Sequence, residues 1–112
     1  MRASPSNARK LGPAQVFAAL GDVTRLSLVQ KLSSGAPLSI SQLTAGSRLT
    51  RQAVTKHLGV LESVGVVHGV RAGREKRFAF DPGPVDQMKK YLEFVSLRWE
   101  EGLGRLKKFV ES

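Results

Sequence analysis

No cysteine occurs anywhere in the 112 residues. That absence excludes disulfides, thiolate metal sites and thiol-based redox sensing. Histidine is nearly as scarce, with only His57 and His68. No apolar run approaches the roughly 18–20 residues a membrane-spanning helix needs. The opening MRASPSNARK is basic, but no apolar signal core follows it, so neither secretion nor a membrane partner is expected. Acidic residues are few: nine Asp and Glu face eighteen Lys and Arg, leaving a formal charge of +9. Such an excess favours a polyanion as partner. The acids are scattered, and no paired-carboxylate cleft, Ser-His-Asp order or zinc signature emerges, so neither catalysis nor a cofactor is expected. The one glycine pair with a nucleotide-loop look, Gly102 and Gly104, lacks the third glycine and the preceding strand.

The remaining sequence has the balance of a folded protein, 41% hydrophobic and 24% charged, and its length suits one domain. Residues 1–12, rich in Ser, Pro and basic side chains, read as a flexible basic arm, and residues 13–112 as a single domain. Pro13 suits a first helical turn, and AQVFAALG makes a helix stopped by Gly21. Asp22 then caps VTRLSLVQKL, where Leu26, Val29 and Leu32 form an i, i+3, i+6 core stripe. Ser39 and Gln42 make a capping box, with Leu38 and Leu43 as its hydrophobic staple. The short helix that follows ends at Gly46. Thr50 caps the next one, where Leu49 and Val54 form a second staple. Two helices joined by a few residues containing a glycine are the signature of a helix-turn-helix.

In TRQAVTKHLGVLESVGVV, Val54, Leu58 and Leu61 share one helical face, with Ala53 and His57 at its margin. Arg51, Gln52, Thr55 and Lys56 occupy the other face near the N-terminus. That end of the second helix enters the DNA major groove in a helix-turn-helix. Arg can read guanine, Gln can read adenine, and a Thr methyl can touch thymine. After Gly65, VVHGV and EKRFAFD read as two strands around RAGR, with Phe78 and Phe80 alternating with Arg77 and Ala79. Residues 48–77 carry seven basic side chains against Glu62 and Glu75, a local +5 suited to neutralising phosphates. The candidate DNA-binding residues are Arg48, Thr50, Arg51, Gln52, Thr55, Lys56, Arg71, Arg74, Lys76 and Arg77. The fold class is mainly α with a small β-hairpin (α+β): a winged helix-turn-helix of four helices, two strands and a last helix over 84–111. The partner is double-stranded DNA. The alternative use of such a domain is a protein-interaction or RNA-binding module.

The stretches FAALGDVTRLSLVQKL, SISQL, LTRQAVTKHLGVLESVGVV and RAGREKRFAF together resemble the bacterial ArsR/SmtB winged-helix repressors. The resemblance covers roughly residues 14–100, and AVTKHLGVLESVG is its most specific part. It implies a cytoplasmic, homodimeric transcriptional repressor on an inverted-repeat operator, with the first and last helices pairing across a two-fold axis. Val23 departs from the proline usual after the Asp. The family's thiolate ligands on the first helix of the helix-turn-helix correspond to Ser39 and Ser41, which cannot bind soft ions. Its ligands on the last helix correspond to Asp86, Met88, Trp99 and Gly102, so at most one survives. His57 matches a structural histidine of the recognition helix, and His68 falls in the wing strand. No metal site is expected.

In the last helix Val85, Met88, Leu92, Val95 and Trp99 follow a heptad-like 3-4-3-4 spacing. Such a stripe either closes the domain's own core or seats a second copy. The added aromatics Tyr91 and Phe94 favour the second copy, and the pairing of terminal helices adds Phe17 to the expected interface. Gly102 and Gly104 weaken the helix, so a bend or break is expected there. A regulatory signal would come from a small organic effector near Tyr91, Phe94 and Trp99, from a protein partner, or from expression level alone.

Overall fold

A computed structural model of the chain describes residues 12–111. The basic arm expected before the first helix lies outside the described residues, apart from Gly12. The elements run in the order α1 (Pro13–Leu20), α2 (Val23–Leu32), β1 (Leu38–Ser39), α3 (Ile40–Thr44), α4 (Arg51–Ser63), β2 (Val67–Ala72), β3 (Glu75–Phe80) and α5 (Gly83–Glu111). No helix among them is long and apolar enough to cross a membrane.

The caps read from the sequence are formed. The Asp22 carboxylate accepts the backbone N–H of Arg25 at 3.0 Å and starts α2. Ser39 Oγ accepts from the Gln42 N–H at 3.1 Å, while Gln42 Oε1 accepts from the Ser39 N–H at 2.8 Å, completing the reciprocal box. Thr50 Oγ1 accepts the Ala53 N–H at 3.0 Å at the head of α4. These bonds satisfy amides that the first turn of a helix leaves open.

The sheet holds one strand more than the expected hairpin. Leu38 and Ser39 pair antiparallel with Phe78 and Arg77, giving the order β1-β3-β2. A two-residue strand is too short to show alternation, and Ser39 also serves as the α3 cap, so its sequence signal is that of a helix start. The hairpin closes through Gly73 and Arg74, because Ala72 pairs with Glu75. Gly73 has φ +68° while no non-glycine residue among the described residues has positive φ, the distribution that a II′ turn requires.

Among the described residues, thirteen buried apolar side chains form one core. Val16 and Ala19 come from α1, Leu28 and Leu32 from α2, Leu43 from α3, and Val54, Leu58 and Leu61 from α4. Val64, Val66, Val67, Phe78 and Met88 complete it. One residue of the expected α2 stripe is displaced. Leu26 is 52% exposed, whereas Leu28 and Leu32 are buried with Val29 packed against them. At about 100° per residue, Leu26 lies roughly 200° from Leu28 and faces away from the core.

The last helix also departs from expectation. It runs unbroken from Gly83 to Glu111, through Gly102 and Gly104. Glycine weakens a helix by about 1 kcal/mol relative to alanine, a penalty that 29 residues of continuous hydrogen bonding absorb. Its first turns meet the body of the domain: Met88 is buried, Val85 packs on the core, and Tyr91 meets Phe17 edge-on at 6.3 Å.

The junction between α4 and the wing is tightly built. Gly65 has φ +78°; its N–H donates to the Glu62 carbonyl and the Val66 N–H to the Leu61 carbonyl, both at 3.0 Å. This is the Schellman arrangement, with its apolar contact made by the buried pair Leu61 and Val66. A Cβ at Gly65 would meet only Pro84 Cγ, at an ordinary 3.6 Å, so the obstacle to substitution is backbone conformation. Gly65→Ala is therefore expected to lower stability by about 1–2 kcal/mol, and Gly65→Asn by less, in urea unfolding at neutral pH. Equal stability of the alanine variant would show that the cap relaxes without strain.

Candidate nucleic-acid interface

The burial of Val54, Leu58 and Leu61 fixes the roll of α4. Arg51, Gln52, Thr55 and Lys56 are left exposed, and they share an open groove with Thr50 and Ala53. The Thr55 hydroxyl donates to the Arg51 carbonyl at 2.7 Å. Its proton is thus occupied, and the exposed residue keeps a lone pair and its methyl group available. Arg51 Nη1 donates to Ser41 Oγ at 2.6 Å across the turn between α3 and α4. Arg48, in that turn, is exposed.

The wing approaches the same corner. Ser39, Ile40 and Ser41 of β1 and α3, Arg51 of α4, and Arg74, Glu75 and Lys76 of the wing line one open cleft. The head of α4 and the wing tip therefore present cations to a common space. The wing residues named from the sequence differ in their freedom. Arg71 and Arg74 are exposed. Lys76 folds back, with Nζ 5.2 Å from the centre of the Phe78 ring, and its aliphatic stem lies where a Cβ at residue 69 would sit. Gly69 leaves that room, and its N–H donates to Glu62 Oε2 at 3.2 Å. Arg77 is half-buried and its Nε donates to Glu75 Oε1 at 2.8 Å, so part of its charge is already matched within the wing.

Both histidines have partners. His57 Nδ1 lies 3.2 Å from Arg25 Nη1 and 3.9 Å from Asp22 Oδ2. Since arginine can only donate, Nδ1 is the acceptor in its contact with Arg25. The same guanidinium also donates to the carbonyls of Ala18 and Ala19, so Arg25 ties the end of α1 to the recognition helix. The Asp22 carboxyl is held below the usual carboxylate range, chiefly by the backbone N–H of Arg25. His68 Nε2 lies 2.8 Å from Asp81 Oδ2, linking the wing to the head of α5. Asp81 is also held low, first by the backbone N–H of Gly83 and then by His68.

The positions that the resemblance matched to metal ligands are differently employed. Ser39 is buried as a helix cap, Ser41 receives Arg51, Met88 is in the core, and Asp86 and Trp99 are exposed on α5. No group of three or more His, Asp or Glu side chains able to hold a metal ion gathers among the described residues.

Of the expected interface residues on the terminal helices, Met88 is buried within the single chain, and Phe17 and Val85 pack against its core. Leu92, Val95 and Trp99 are 52%, 43% and 65% exposed. Tyr91, Phe94 and Trp99, the aromatics expected near an effector, spread over about 140° of the helix circumference. Two contributions escaped sequence reasoning. Arg25 looked like an ordinary charge within α2, and Ser41 was noted only as a missing ligand. The signal for Ser41 was its place on the helix packed before α4, ten residues ahead of Arg51.

Known proteins share this construction. A family described as a helix-turn-helix domain matches residues 20–70. The HTH-type transcriptional regulator YuzN of Bacillus subtilis is 36% identical over 81 residues, covering 67% of this chain and 88% of that protein. The HTH-type transcriptional regulator Rv2034 of Mycobacterium tuberculosis is 34% identical over 94 residues, covering 84% and 87%. Among solved structures, an ArsR-like transcriptional regulator from Rhodococcus sp. RHA1 superposes with a TM-score of 0.77 at 34% identity, covering 87% of this chain and 91% of its own. Matched at 34–36% identity over 87–91% of the length of these relatives, the chain belongs to the ArsR family of winged helix-turn-helix transcriptional regulators.

Proposed function

We propose that the chain acts as a homodimeric repressor on an inverted-repeat operator, and that its signal is not a metal ion. The observation that carries the reading is the common exposure of Arg51, Gln52, Thr55 and Lys56 beside the wing-tip Arg74. Such a surface combines donors for base edges with cations for the flanking phosphates. Arg48, Lys56, Arg71 and Arg74 are exposed cations suited to the phosphate role, while Lys76 and Arg77 have competing partners within the wing. Thr50 acts mainly by holding the helix end in place.

Specific and non-specific binding separate these roles. Arg51→Ala or Gln52→Ala should weaken binding to the selected operator by about 1–3 kcal/mol per half-site and leave random duplex affinity unchanged. Arg74→Ala should weaken both duplexes and flatten the dependence of log K on log salt by about one unit. Fluorescence anisotropy titrations between low and moderate salt read both effects. An equal loss on both duplexes for the first pair would make those side chains phosphate contacts.

Dimerisation is supported by α5. Beyond its first turns Leu92, Val95, Trp99, Leu103, Leu106 and Val110 stay 43–74% exposed. They fall within one arc of the helix by the 100° rule. An apolar stripe of that length is an interaction surface by ordinary standards, and a second copy supplies the same stripe. Because Leu92 and Val95 are exposed in the single chain, Leu92→Asp and Val95→Asp leave the monomer core intact. They are expected to give folded monomers in sedimentation, with unchanged circular dichroism and poor operator affinity. A variant that remained dimeric would move the seam away from these residues.

The signal follows from the donor set. Neither the serines at the thiolate positions nor two separately engaged histidines provide a tight soft or borderline metal site. Switching a population from 99:1 to 1:99 takes about 5.5 kcal/mol of differential binding. Zinc, cobalt, nickel, arsenite and peroxide at one equivalent should leave operator affinity within twofold of the untreated protein. A tenfold loss with any of them would reinstate a metal or oxidant as the signal.

A further inference from the structure

The first helix of a helix-turn-helix ordinarily braces the second through apolar contacts. Here it also makes a polar one, at the most consequential side chain of α4. Ser41 lies in the first turn of α3 and is exposed, and its Oγ accepts from Arg51 Nη1 at 2.6 Å. Its neighbour Ser39 is buried and engaged as a cap, so the two hydroxyls of SIS have different duties. We infer that Ser41 is a positioning residue for base recognition: it holds the Arg51 guanidinium in the orientation that reads a guanine. The inference rests on Arg51 being a base-reading residue.

The geometry supports this by elimination of donors. Arginine has five N–H groups in a rigid fork. Ser41 engages Nη1, which leaves the Nε and Nη2 edge with two parallel donors, the pair that matches guanine O6 and N7. Arg51 is exposed at the end of a flexible stem. Without a partner it would be frozen only when DNA arrives, and freezing one such side chain costs roughly three- to tenfold in affinity. Ser41 does that ordering in advance. Ala45 N–H and the Thr44 hydroxyl bond to the Ser41 backbone carbonyl, contacts that a side-chain substitution leaves in place, so helix α3 does not depend on the Ser41 hydroxyl.

The decisive experiment is a double-mutant cycle on DNA binding. The probe is a duplex enriched by the wild-type protein from a randomised pool, with a scrambled duplex of equal length for comparison. Ser41→Ala is expected to lose about three- to tenfold in affinity per half-site for the enriched duplex. Scrambled-duplex affinity, salt slope and thermal midpoint should remain unchanged. Ser41→Thr, which retains a hydroxyl, should restore most of the loss. In an Arg51→Ala background, adding Ser41→Ala should change nothing further. A Ser41→Ala loss that persists in that background would mean that Ser41 touches DNA itself, and the positioning role would be wrong. So it would be if Arg51→Ala lost specificity and Ser41→Ala did not. If Arg51→Ala itself kept full specificity, base reading by Arg51 would fail, and the role of Ser41 with it.

Discussion

Complete withdrawal of Val54, Leu58 and Leu61 from water is the constraint on which the rest depends. A helix can bury only one stripe, and burying this one against α2, α3 and the sheet leaves no choice about what faces outward. The polar corner of α4 is therefore a consequence of packing, and its aim is as well determined as the core. Each of these aliphatics contributes about 1.5–3 kcal/mol through burial, far more than a surface charge pair does. Recognition chemistry on this helix can vary freely as long as those three positions stay apolar.

Polar contacts then refine what packing has aimed. Arg25 reaches from α2 to the end of α1 and to His57, so three helices meet at one guanidinium. Ser41 reaches Arg51, and Glu62 reaches the Gly69 amide. None of these is a large energy, since net hydrogen bonds contribute about 0.5–1.5 kcal/mol. Their value is directional: each links the recognition helix to a different neighbouring element.

The sequence made most of the fold legible because its strongest signals are local. Caps at Asp22, Ser39 and Thr50 depend on residues within a few positions of one another, and the structure forms all of them. What escaped was non-local or too short to have a period. The strand at Leu38–Ser39 exists only because β3 passes beside it. Leu26 fits an i, i+3 stripe as well as Leu28 and Leu32 fit an i, i+4 one, and only tertiary packing decides between them. Similarly, Gly102 and Gly104 read as an interruption because propensity is a weak prior that a long helix overrides. For the candidate site, the α4 face and the wing tip were readable from periodicity and charge. Competing partners for Lys76 and Arg77, and the bracing of Arg51, were not, since they depend on side-chain direction across elements.

The Schellman junction at Gly65 has a mechanical consequence. Only a few residues separate the last turn of α4 from β2, and their amides and side chains are fixed by Leu61, Glu62 and Val66. Helix and wing thus form a single stiff jaw with little hinge between them. A jaw of this kind cannot mould itself to each sequence, so the fit to groove width and curvature falls on the duplex, and its deformability becomes part of what is discriminated. For the same reason a signal arriving through α5 has little scope to loosen the wing alone. In the proposed homodimer it would act by tilting the whole jaw relative to its mate, changing the stride between half-sites while leaving each exposed α4 corner intact.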